Sequence, residues 1–122
     1  MTITLYGIPN CDTVKKARTW LDEQQLPYTF HDFKKAGVSP AFVATCLAVH
    51  SWEILLNRKG TTWRKLDEAR RAAIVDAASA GVLMQEQPSV IKRPVLIIAK
   101  PGEPVIHVGF SVPQYQQLFN LS

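Results

Sequence analysis

A cysteine lies where a predicted strand passes into a predicted helix near the start of the chain. The segment reads LYGIPNCDTVKKA (residues 5–17), and its glycine, proline and asparagine end the strand just before Cys11. Either Asn10 or Asp12 can accept hydrogen bonds from the open amides of the helix start. These amides and the helix dipole stabilise a thiolate more than a thiol, so the pKa of Cys11 should lie below its usual value. The motif predicts a reactive thiol rather than a small buried one.

Lys15 adds a second reason to expect a thiolate. It follows Cys11 by four residues, which places its charge on roughly the same side of the helix. Asp12 works in the opposite direction, and we expect the positive contributions to dominate. Val14, Ala17 and Leu21 recur at helical spacing and predict the buried face of this helix.

Composition limits the classes of protein that the chain can belong to. With 122 residues and 47% hydrophobic residues, the sequence predicts a single domain with a real core. A net charge of +4 and a pI of 9.3 favour anionic partners. The basic residues are scattered and lack interleaved aromatic residues, which argues against nucleic-acid binding. No heptads or long apolar edges occur, so we expect a monomer.

The numbers and spacing of the cysteines and histidines bear on disulfide bonds, metal binding and the expected location. The sequence has only two cysteines, Cys11 and Cys46, too few for a disulfide scaffold, and we expect Cys46 to pack inside. The three histidines have no metal-ligand spacing, so we predict no metal site. No signal-like segment or bilayer-length apolar run is present, and a reducing cytoplasm is the expected location.

The remaining pattern predicts an α/β fold with a helical insertion. A strand over Thr2–Tyr6, a helix over Asp12–Gln25 and a strand over Tyr28–Phe33 make a βαβ unit with parallel strands. The C-terminal part predicts a hairpin of Pro94–Ala99 with Pro104–Val108, followed by a helix over Val112–Leu121. Cys11 then lies at the carboxyl end of the first strand, where open α/β sheets bind ligands.

The segment between these parts is predicted to be helical with interruptions. Ser39-Pro40 begins one helix and Ser51 begins a short one that ends at Leu56. The predictions continue with a basic loop (Asn57–Thr62), an alanine-rich helix from Asp67 to an αL cap at Gly81, and a short helical turn (Val82–Gln87).

Three segments of the chain resemble the conserved blocks of the ArsC family, within it most closely the YffB-type branch. They are YGIPNCDTVKKA (residues 6–17), LLNRKGTTW (55–63) and PSVIKRPV (88–95). The resemblance covers essentially the whole chain. It implies a thioredoxin-like fold with a mixed four-stranded sheet, a core of about residues 1–33 and 88–122, and a helical insertion of about residues 34–87 in a single domain.

The resemblance also implies an activity and a site. The family suggests a glutathione- and glutaredoxin-coupled thiol reductase whose cysteine attacks an oxyanion or a disulfide, with Cys11 as nucleophile. Lys15, Arg93 and the cis proline at Pro94 would lie in the substrate site, and an arginine suits it because its fork donates in parallel to two oxygens. A further family arginine corresponds to Arg58, although alignment on the tryptophan puts Asn57 there.

The chain departs from arsenate reductases at two places. The region Val108–Ser111 has no arginine where those enzymes keep one, and the turn before Cys11 lacks their histidine. These departures argue against arsenate as the substrate and favour a thiol-linked one, with glutathione as co-substrate.

The family also contains Spx, a transcription regulator that binds RNA polymerase and senses oxidants through a Cys-x-x-Cys pair. In this chain Val14 occupies the position of the second cysteine, so an external thiol would have to reduce a mixed disulfide on Cys11. A non-catalytic, Spx-like interaction module is the alternative interpretation.

Overall fold

The computed structural model describes residues 1–120, which divide into two compact units. The first unit comprises residues 1–32 and the chain from residue 93 onward. Its four strands form one mixed sheet in the order β2-β1-β3-β4, with β1 parallel to β2 and the other two pairs antiparallel. The strands are β1 (Thr2–Gly7), β2 (Thr29–Asp32), β3 (Val95–Ala99) and β4 (Val105–Val108). The predicted mixed four-stranded sheet is confirmed.

Two helices of this unit pack on the sheet, α1 (Asp12–Glu23) and α8 (Val112–Leu118). Alternate residues of β1 and β3 bury their side chains against both helices, as a two-residue repeat requires. This core contains Ile3, Leu5, Ala17, Trp20, Leu21, Leu96, Ile98 and Tyr115. It fixes the start of α1 relative to the C-terminal end of β1 and the N-terminal end of β3.

The ends of several elements differ from prediction by one to three residues. Helix α1 stops at Glu23 because Gln25 takes a φ of 56°. Strand β2 spans only Thr29–Asp32, since Phe33 already begins a helix. Helix α8 ends at Leu118, and the predicted end at Leu121 lies outside the described residues.

The second unit, residues 33–92, is helical. Ser39 and Ser51 cap helices as predicted, their hydroxyl oxygens accepting from the amides of Phe42 and Glu53. The elements are α2 (Phe33–Ala36), α3 (Pro40–Val49), α4 (Trp52–Leu55), α5 (Thr61–Lys65), α6 (Glu68–Ala72), α7 (Ala77–Glu86) and a 3₁₀ turn (Pro88–Val90).

The predicted alanine-rich helix capped by Gly81 is wrong. The structure divides it into α6 and α7, because Asp76 and Ser79 form a capping box that starts a new helix. Gly81 lies buried inside α7, where a Cβ would stand 3.1 Å from Cγ1 of Val43. The glycine therefore allows close packing of α7 on α3. The predicted separate turn at Val82–Gln87 is the last part of α7 and its C-cap, Gln87.

The predicted loop Asn57–Thr62 is two residues too long, since α5 begins at Thr61. Its first part is a turn in which Oδ1 of Asn57 accepts from the Lys59 amide at 3.2 Å. Across residues 1–120, the helices are too short or too polar to cross a bilayer.

Candidate active site

Cys11 lies at the N-cap of α1, one position before the helix begins. Its amide donates to the carbonyl of Ile8 at 3.2 Å, and its carbonyl accepts from the Lys15 amide at 2.9 Å. This corrects the expectation that Asn10 or Asp12 caps the helix. The cap position places the Cys11 side chain directly at the open amides of the first turn.

Gly7 holds this turn close to the helix. A Cβ on Gly7 would stand 2.7 Å from Cγ2 of Val14, so a larger residue would push the first turn of α1 away from β1. Val14 itself is fully buried. The position of the cysteine is therefore set by backbone packing at the end of β1.

The partly exposed thiol of Cys11 has a lowered pKa. Partial burial alone would raise that pKa, but the amides of Val14 and Thr13 together with the guanidinium of Arg93 outweigh it. The side chain makes no capping hydrogen bond of ordinary geometry, so these amides act mainly by stabilising negative charge on the sulfur. The Arg93 side chain acts both as a hydrogen-bond donor and as a charge. These groups thus favour the thiolate of Cys11 over its thiol.

Arg93 is brought beside Cys11 by the sheet. Tyr6 of β1 pairs with Val95 of β3, so the residues before β3 lie beside the end of β1. The Arg93-Pro94 peptide bond is cis, as the family resemblance implied, and Pro94 is buried. The carbonyl of Pro94 accepts from the amide of Gly109 at 2.8 Å, which ties the segment after β4 to the same end of the sheet.

Lys15 is exposed on α1 and is not among the groups that lower the pKa of Cys11. Instead it lines a groove along α1 together with Trp20 and Phe110. The cation that acts on the sulfur within the described residues is Arg93. Lys15 therefore lies one helical turn from Cys11 without being its charge partner.

Arg58 belongs to the second unit, in the turn before α5. Its guanidinium pairs with the Glu53 carboxylate at 3.5 Å and lies 5.7 Å from the ring centroid of Trp52. Asn57, the other residue considered for this position, donates its amide to the carbonyl of Val90 at 2.8 Å and fixes the turn. Both residues line a basic pocket with Lys59 and Lys92.

Cys46 is buried in α3, as predicted, and burial raises the pKa of its thiol to about 12. Both cysteines are free thiols. A thiol with such a pKa stays protonated at neutral pH and is a poor nucleophile. Cys11 is therefore the cysteine equipped for chemistry.

Sequence reasoning predicted that open amides at the helix start favour the thiolate, but it did not identify them as those of Thr13 and Val14. It also missed the groove residue Phe110, since only the fold brings the segment after β4 beside α1. Over residues 1–120, no group of three or more histidine, cysteine and acidic side chains is arranged to hold a metal ion.

A cysteine of lowered pKa at the N-terminus of the first helix, together with a cis proline just before β3 of a β2-β1-β3-β4 sheet, defines a thiol protein of the thioredoxin-like class. The chain belongs to the ArsC family, whose model matches residues 6–118.

Solved and curated relatives agree with this assignment. A YffB protein structure is 50% identical, with a TM-score of 0.84, and the match covers 96% of this chain and 97% of the other. The structure of an arsenate reductase (ArsC) related protein from Brucella melitensis is 51% identical, with a TM-score of 0.72 and coverage of 99% and 97%. The global transcriptional regulator Spx of Streptococcus pneumoniae is 24% identical, over 89% of this chain and 79% of the regulator.

Proposed function

We propose that this protein is a glutathione-dependent thiol oxidoreductase in which Cys11 is the single nucleophile. The observation that carries the proposal is the environment of the Cys11 sulfur, where two backbone amides and the Arg93 guanidinium favour the thiolate. A thiolate, unlike a thiol, attacks disulfides. Membership of an arsenate reductase-related family supports a thiol-based reductase.

The cycle has two balanced exchange steps. The Cys11 thiolate attacks the glutathione sulfur of a mixed disulfide, which forms a bond between the two sulfurs and releases the substrate thiolate. A glutathione thiolate then attacks the glutathione sulfur on Cys11, which forms oxidised glutathione and restores the Cys11 thiolate. Glutaredoxin could perform the second step, and a reducing cytoplasm would supply the glutathione.

The substrate site is proposed to lie around Cys11, with Arg93 and Lys15 as its cations and Pro94 shaping its wall. From the family resemblance we also propose that Arg58 contacts the substrate, with Asn57 as the alternative residue for this role. The missing arginine and histidine argue against arsenate and favour a small thiol-linked anion. No metal is required for either exchange step.

The decisive experiment incubates the purified protein with oxidised glutathione and measures the intact mass. The expected result is a gain of one glutathione by wild type and by Cys46→Ser, and none by Cys11→Ser. Reduced glutathione should then remove the adduct. A protein that gains no glutathione, or gains it equally without Cys11, would contradict the proposal.

The alternative is a non-catalytic regulator that binds a protein partner, and the similarity to Spx is the observation that favours it. A regulator has no need for turnover. If Cys11 takes up glutathione but no substrate disulfide is reduced catalytically, while wild type and Cys11→Ser bind a partner equally well, the regulator interpretation replaces the enzyme.

A further inference from the structure

A groove of about 330 Å³ opens along one side of α1. Its α1 wall carries residues at positions 15, 16, 20 and 23, which share one helical stripe. Its other wall comes from Phe110, between β4 and α8, and from Val112, the first residue of α8. The lining of the groove includes Lys15, Lys16, Trp20, Glu23, Phe110 and Val112.

The floor of the groove is aromatic and fixed. The ring of Phe110 packs edge-on against Tyr115 with centroids 4.6 Å apart, and Trp20 does the same at 5.5 Å. Tyr115 is fully buried in the core. Two rings anchored on the same core residue cannot shift independently, so the groove is largely preformed.

The rim of the groove carries two cations and one anion. Lys15 and Lys16 lie at the end near Cys11, and Glu23 lies two turns further along the helix. The ion pairs Arg58–Glu53 and Arg70–Glu86 of the described chain involve none of these three side chains. Their charges are therefore available to a ligand with two carboxylates and one ammonium group.

Both walls of the groove are tied to the nucleophile. On one side the Lys15 amide donates to the carbonyl of Cys11 at 2.9 Å. On the other, the Gly109 amide, next to Phe110, donates to Pro94 at 2.8 Å, and the neighbouring Arg93 donates to the Cys11 sulfur. Both walls of the groove are therefore hydrogen-bonded to the backbone on either side of the Cys11 sulfur.

We infer that this groove binds the glutathione moiety of the mixed disulfide on Cys11, an inference that rests on the proposed function and names where its co-substrate lies. Glutathione carries two carboxylates, one ammonium group and an uncharged backbone. The γ-glutamyl arm lies along α1 over Trp20 and Phe110, with its ammonium group at Glu23. Its carboxylate lies at Lys16, and the glycine carboxylate lies at Lys15.

The reach of a γ-glutamyl arm linked to Cys11 is compatible with the distance from Cys11 to Glu23 along α1. Glu23 follows Cys11 by twelve residues, or about 18 Å along a helix. A disulfide separates two Cα atoms by about 5.5–6 Å, and the γ-glutamyl arm adds about 7 Å, the length of two extended residues. The Glu23 side chain points back toward the helix N-terminus and, with the length of an ion pair, closes the remaining distance.

The test measures binding of S-methylglutathione, which cannot form a disulfide, and of its N-acetyl derivative, which lacks the ammonium charge. Wild type should bind S-methylglutathione about fivefold tighter than the N-acetyl derivative, the upper range for an exposed ion pair. Glu23→Gln should bind both equally. Lys16→Gln should weaken both ligands by a similar factor and keep the discrimination. Lys100→Gln is the matched control, since Lys100 follows β3 at the end of the sheet remote from Cys11, and it should behave as wild type.

Two results would overturn the inference. One is discrimination between the two ligands that persists in Glu23→Gln, and the other is binding that leaves the Trp20 indole and Phe110 amide NMR signals unmoved. Neither ligand reacts with Cys11, so neither result affects the outcome of the intact-mass test for the mixed disulfide. Uptake of glutathione by Cys11 together with failed discrimination would reject the groove and retain the proposed function.

Discussion

Replacing Arg93 with glutamine should change the reactivity of Cys11 in opposite directions at low and high pH. The substitution removes the guanidinium that donates to the sulfur and holds the pKa of Cys11 down. A hydrogen bond to a charged group contributes about 1.5–3 kcal/mol, and solvent reduces this at a partly exposed sulfur, so we use about 1.4 kcal/mol. That energy lowers the ratio of thiolate to thiol about tenfold at acidic pH.

The thiolate that remains in the variant is a better nucleophile, because nucleophilicity rises with pKa with a slope of about 0.4–0.5. This factor is about threefold for a tenfold change in acidity. Arg93→Gln should therefore react with iodoacetamide about threefold more slowly than wild type at low pH. At a pH where both thiols are ionised, it should react about threefold faster, so the two rate profiles cross.

The measurement is the alkylation rate of Cys11 by intact mass between pH 5 and 9.5, a range chosen around the ordinary thiol pKa of about 8.5. Lys100→Gln removes one positive charge at the opposite end of β3 and should reproduce the wild-type profile. Cys46 is buried and should stay unmodified throughout. An Arg93→Gln rate reduced by the same factor at every pH would refute the reasoning, since it would show that Arg93 acts on the reagent or the fold.

Three other substitutions test the packing and the helix ends. Tyr115→Phe should raise the free energy of unfolding by about 1 kcal/mol in thermal or urea unfolding, because the hydroxyl is buried without a hydrogen-bond partner among the described residues; destabilisation would reveal a partner. Gly7→Ala should cost roughly 1–3 kcal/mol through its clash with Val14, and adding Val14→Ala should cost less than the sum of the two single changes. Asp76→Ala should speed amide exchange in the first turn of α7; the pKa of this carboxyl is lowered, so its contribution is present at neutral pH and is lost as the pH falls through the folded-state pKa.

The sequence was sufficient to predict the βαβ unit and the place of Cys11 at the start of α1 because both depend on local pattern, whereas the mixed four-stranded sheet came from the family resemblance. The strand, turn and helix around Cys11 follow each other within a few residues, and a βαβ unit leaves little choice of strand direction. The cis bond before Pro94 came from the family resemblance. The cap was mispredicted because propensity favours Asn10 and Asp12, whereas the backbone turn selects Cys11.

The errors in the second unit have a different cause. Gly81 reads as a helix end in isolation, and only its contact with Val43, a residue distant in sequence, explains why it lies inside a helix. Similarly, the local pattern did not reveal that Asp76 would cap a new helix, α7. The choice between Asn57 and Arg58 was beyond sequence reasoning because the two residues are adjacent in one turn. Asn57 bonds there through its backbone amide and its Oδ1, and Arg58 pairs through its guanidinium.

The electrostatics that favour attack by Cys11 should also shorten the lifetime of its mixed disulfide. A thiol of low pKa is a good leaving group, so glutathione that attacks the glutathione sulfur on Cys11 expels the Cys11 thiolate readily. Cys46 cannot share this task, because burial raises the pKa of its thiol to about 12. Arg93→Gln should therefore lengthen the lifetime of the purified Cys11 adduct in reduced glutathione by about threefold at neutral pH, as measured by intact mass against time. An unchanged lifetime would mean that the Arg93 guanidinium stabilises the free thiolate without contacting it as a leaving group, and the exchange cycle would need another source of acceleration.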